Sequence, residues 1–70
     1  MNSAEKKAIQ QGLQFTGHCA SDYGKNPNYP KQEAKKIRDL GYRAIIVRGK
    51  NVKCVFAEMK YFSDERIHKF

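Results

Sequence analysis

The chain has 70 residues, 40% apolar and 30% charged, and its fourteen Lys and Arg outnumber seven Asp and Glu for a net charge of +7. That mixture excludes disordered and fibrous classes, and the length bounds the chain to one small domain, residues 1–70, that buries only about 60% of the surface its unfolded form exposes. The longest apolar run, Ala44 to Val47, is far short of the roughly 20 residues of a membrane helix. No apolar stretch follows Lys6 and Lys7, so neither a membrane partner nor a secretory signal is expected and the expected location is cytoplasmic.

Asn2 or Ser3 caps a first helix, with Glu5 in its first turn, Ala4, Ala8 and Ile9 along one side and Gly12 as its stop. Leu13, Phe15, Gly17 and Cys19 then alternate with Gln14, Thr16, His18 and Ala20, the period of a strand with one buried face. The run "SDYGKNPNYP", residues 21–30, holds Gly, two Asn and two Pro and reads as a loop that exposes Tyr23 and Tyr29.

Pro30 suits the first turn of a second helix, in which Ala34, Ile37 and Leu40 recur at three-residue spacing before Gly41. So narrow a stripe leaves Lys31, Lys35, Lys36 and Arg38 on a cationic outer side. Two apolar stretches follow, and matching them as a hairpin pairs Ala44 with Ala57, Ile45 with Phe56, Ile46 with Val55 and Val47 with Cys54. Arg43 then meets Glu58, Arg48 meets Lys53, and a loop through Gly49, Lys50, Asn51 and Val52 closes the hairpin. The last strand is expected to run from Lys53 to Phe62. Residues 63–70 form either one helical turn or a tail.

The resulting α-β-α-β-β order is a small α+β fold, a three-stranded antiparallel sheet with the basic helix on one face and a right-handed crossover. The third strand takes the centre. A free edge strand permits dimerisation by strand pairing. No internal repeat, linker or low-complexity tract is present.

Cys19 and Cys54 are too few for the disulfide framework of a small secreted domain and read as buried, reduced thiols. His18, Cys19, Cys54 and His68 are zinc-ligand types, but adjacent strand residues point to opposite faces, so His18 and Cys19 cannot share one tetrahedral ion. No metal and no cofactor is expected. "TGH", Thr16 to His18, is similar to the Gly-His of small ribonuclease toxins that fold like a double-stranded RNA binding domain. That resemblance implies His18 as a general base in metal-independent RNA cleavage. It covers three residues, and the order of elements departs from that family's.

Charge carries more information. Residues 31–60 hold nine cations against Glu33, Asp39 and Glu58, a balance of +6, whereas residues 1–30 contribute +1 and residues 61–70 contribute zero. A one-sign concentration on a contiguous unit is the footprint of a polyanion partner. Like charges opposed across a hairpin repel, and a phosphate between Arg48, Lys50 and Lys53 would relieve that repulsion. The reading is a non-catalytic nucleic-acid-binding regulatory protein, RNA or single strands favoured over duplex DNA, that acts through Lys31, Lys35, Lys36, Arg38, Arg48, Lys50 and Lys53 with Tyr23 and Tyr29 as stacking platforms. The rival is a small phage-type inhibitor or anti-defence protein that docks on a host protein or a ribonucleoprotein, with Tyr23, Tyr29 or Phe70 at its rim.

Overall fold

The computed structural model describes residues 3–64. Helix α1 (Ser3–Gln10) leads into strand β1 (Leu13–Ser21), helix α2 (Tyr29–Asp39), strand β2 (Ala44–Gly49), strand β3 (Val52–Glu58) and a single helical turn, α3 (Met59–Phe62). The strands form one sheet in the order β1-β3-β2, both pairs antiparallel. The chain therefore adopts the expected small α+β arrangement with the third strand in the centre. Among the described residues no helix is long and apolar enough to cross a membrane.

The hairpin adopts the register that hydrophobic matching predicts, residue for residue from Ala44 opposite Ala57 to Arg48 opposite Lys53. A period of two then sorts its side chains between two cores. Ala44, Val55 and Ala57 pack with Ala34 and Ile37 of α2 and with Tyr61, and Ile46 lies against that cluster. On the other face Val47 and Phe56 pack with Ala8 of α1 and with Leu13, flanked by Ile45 and Cys54. Leu13, Ile37 and Val55 are enclosed almost completely, and each contributes about 1.5–3 kcal/mol by leaving water.

Helix α2 begins at Tyr29, so the last two residues of the expected loop are helical, with Asn28 as the N-cap and Pro30 in the first turn. Its end is a Schellman closure, in which Gly41 N–H donates to Arg38 O at 2.9 Å and Tyr42 N–H to Ile37 O at 3.3 Å. The closure needs a left-handed residue after the cap, and Gly41 supplies it at φ +96°. Tyr42 then turns onto the cluster that holds Ile37.

Two expectations are corrected. Strand β3 ends at Glu58 rather than Phe62, because Met59 to Phe62 coil into α3. That turn buries Tyr61 against Ala34 and Ile37 and sets its ring edge-on to Tyr42, with centroids 6.2 Å apart. The Tyr42 hydroxyl donates to Oδ2 of Asp64, which is only 9% exposed, and fastens the turn to the start of β2. Ser63 caps α3, whereas the expected turn or tail beyond Asp64 lies outside the described residues.

The second correction concerns the cysteines, which are neither reduced nor both buried. Cys19 and Cys54 stand opposite each other on β1 and β3 and form a disulfide, with Cα atoms 4.1 Å apart. An irregularity in β1 causes the meeting. Phe15 faces Phe56 and Cys19 faces Cys54, so four steps along β1 match two along β3. Gly17 stands in this bulge at φ +89°, a conformation that glycine adopts without a steric penalty. The Thr16 hydroxyl donates to Val55 O at 2.9 Å and accepts from His18 N–H at 3.3 Å, replacing the ladder bonds that the bulge removes.

Candidate nucleic-acid interface

The face of the sheet under α2 places cations from two elements together. Along α2, Lys31, Lys35 and Arg38 are spaced i, i+4 and i+7 and share one side of the helix. With Asn28 and Gln32 they line an open groove of about 450 Å³. Asn28 and Lys31 also line a second groove of about 370 Å³, whose other walls are Pro27, Ile46, Arg48 and Lys53. The two grooves share Asn28 and Lys31, so they adjoin along α2 as a cationic channel in two parts. Basic helix and hairpin end therefore lie on the same side of the sheet.

Local contacts hold these side chains in different ways. Lys53 Nζ is 3.7 Å from Oδ1 of Asp22, so part of the repulsion between the opposed Arg48 and Lys53 is offset within the chain. Arg38 donates from Nε to Ala44 O at 2.9 Å, which fixes the guanidinium beside the first residue of β2. Lys36 points elsewhere and bonds Oε1 of Glu33 at 3.2 Å. Lys50 is exposed in the two-residue turn between β2 and β3, where Asn51 takes the left-handed conformation at φ +60°.

The loop after β1 is tied to the same turn. Asp22 N–H donates to Asn51 O at 3.0 Å, and the Tyr23 hydroxyl donates to Oδ1 of Asn51 at 3.4 Å. The Tyr23 ring is 82% exposed, so a flat aromatic face is displayed beside the cationic end of the hairpin. Tyr29 is placed otherwise. Its hydroxyl lies 2.7 Å from Nδ1 of His18, and the two rings meet edge-on with centroids 5.7 Å apart. His18 faces the α2 side and Cys19 the opposite side, where its partner is Cys54.

The structure thus gathers Lys31, Lys35, Arg38, Arg48 and Lys53 along the channel, adds Lys50 and Tyr23 at its hairpin end, and leaves Lys36 and Tyr29 outside its lining. Sequence reasoning missed Asn28, Gln32 and Ile46 as lining residues. Asn28 follows from its position as the N-cap of a helix that carries Lys31 one turn on, a signal present in "NPNYPK". The opposite face carries an apolar groove of about 560 Å³ lined by Ile9, Phe15, Cys54 and Phe56 with Glu5 and Gln14. No protein family, curated protein or solved structure matches this chain.

Proposed function

We propose that this protein is a non-catalytic regulator that binds single-stranded RNA through its phosphates in the channel between α2 and the hairpin end. The observation that supports it is the convergence of Lys31 with Arg48 and Lys53 around one groove, continued by Lys35 and Arg38. A strand laid in the channel would meet a cation at each step, and the displayed ring of Tyr23 suits stacking on an unpaired base at one end. Contacts to phosphate carry no sequence information, so sequence preference is modest.

The test is a salt series with a labelled single-stranded RNA on the wild type, on a Lys31→Ala, Arg48→Ala, Lys53→Ala triple variant, and on a charge-matched control that replaces Lys6, Lys7 and Lys60. Each lost phosphate contact reduces the slope of log K against log salt by about 0.7 for a single strand, so the triple variant flattens it by about 2 and the control leaves it unchanged. Equal loss in both variants would mean that net charge, not the channel, binds RNA.

The second reading, a phage-type inhibitor docked on a host protein or ribonucleoprotein, draws its support from the other face, where Ile9 and Phe15 are half exposed beside Phe56. A stoichiometric protein partner that survives nuclease treatment, and is lost in Phe15→Ser but not in the triple variant, would favour it.

A further inference from the structure

The two halves of the disulfide have unlike surroundings. Cys19 lies on the outer strand and is exposed, whereas Cys54 lies on the central strand, half-buried, and lines the apolar groove with Ile9, Phe15 and Phe56. Ala8 of α1 packs over Leu13, Val47 and Phe56, and the outer end of β1 stays open to solvent at Cys19 and Ser21. Exposed disulfides are the ones that react with external thiols, and access decides which sulfur is attacked.

We propose that Cys19–Cys54 is a thiol-exchange site, at which a small anionic thiol becomes covalently attached to Cys19. The incoming thiolate attacks Sγ of Cys19 and a new S–S bond forms there. The Cys19–Cys54 bond breaks, its electron pair goes to Sγ of Cys54, and that sulfur takes a proton from water. One disulfide is consumed and one is formed, so no further oxidant or reductant enters the step. A net charge of +7 concentrates an anionic thiol at the surface. The site is independent of the RNA reading, because it lies on the α1 face and the cationic channel on the α2 face.

The test treats the air-oxidised full chain with reduced glutathione under native conditions, quenches with acid, and reads intact mass and a peptide map. A single glutathionyl group on Cys19, exceeding that on Cys54 by about ten-fold or more, is expected from the difference in access. As a second measurement, Cys54→Ser should capture a glutathionyl group from glutathione disulfide faster than Cys19→Ser does. Three results would overturn the proposal: an adduct mainly on Cys54, an adduct that forms only in denaturant, or a protein that still holds two thiols after air oxidation.

Discussion

Reducing the Cys19–Cys54 bond should cost the fold a large part of its stability. The two cysteines are 35 residues apart in sequence, and a cross-link of that span removes about 3.8 kcal/mol of chain entropy from the unfolded state at 25 °C. A domain of this length holds roughly 4–10 kcal/mol in all, so the reduced protein keeps a fraction of its margin. In thermal terms the loss corresponds to a fall in Tm of about 15–30 °C. The assay is a pair of circular-dichroism melts and urea titrations on oxidised protein and on protein held reduced with a phosphine. A Cys19→Ala, Cys54→Ala double variant serves as the control that cannot re-form the bond. The urea m value should rise on reduction, because an uncrosslinked unfolded chain exposes more surface. A reduced protein that melts within about 5 °C of the oxidised form, with an unchanged m value, would refute the argument that this bond constrains the unfolded chain.

Other outcomes follow from individual contacts. Tyr42→Phe deprives the nearly buried Asp64 carboxylate of the phenol that donates to it and should destabilise by about 1.5–3 kcal/mol in urea titration. Gly17→Ala meets open space but must hold φ near +89°, so calorimetry should show a backbone cost of about 1–2 kcal/mol with no change in the opposite core. Burial, followed by the nearby Glu33 and Tyr29, raises the Tyr61 phenol above its ordinary value of 10.0. The folded chain thus holds that proton more tightly than the unfolded one. This stability is fully present below pH 10 and is lost as pH rises through the folded-state value. Tyr61→Phe should therefore show a shallower alkaline loss of stability than the wild type in pH-jump melts.

The hairpin was legible because both its strands carry apolar residues in step and a one-residue slip would turn every one of them outward. Its register and the stop of α2 at Gly41 follow from that pattern and from glycine's conformational range. The register of β1 was not legible. An unbroken ladder continued from Leu13 opposite Glu58 would set Gly17 against Cys54, and only the bulge brings Cys19 there instead; a glycine in an alternating strand marks a bulge but does not say how many residues it holds. The disulfide was missed because two cysteines fall short of the framework of a small secreted domain, and a regular ladder would not have set them opposite each other. The sequence "MKYF" alternates well enough to extend a strand, and only the packing of Tyr61 against α2 makes it a helical turn. Within the site, the shared helical side of Lys31, Lys35 and Arg38 is plain from spacing. Their approach to Arg48 and Lys53 depends on the angle at which α2 crosses the sheet, which no local pattern encodes.

The central strand is also the last to be made. Both β1 and β2 pair with β3, so while the ribosome extends the chain through Gly49 neither has its ladder partner, and Cys19 cannot meet Cys54. The nascent chain thus carries two strand segments whose backbone donors and acceptors can bond only to water or to one another off-register. Once residues 52–58 emerge, one segment satisfies both neighbours and the sheet closes in a single late event. Stalling translation before Val52 would leave a species without its sheet, and that interval is when the chain is most open to wrong pairing with a second copy.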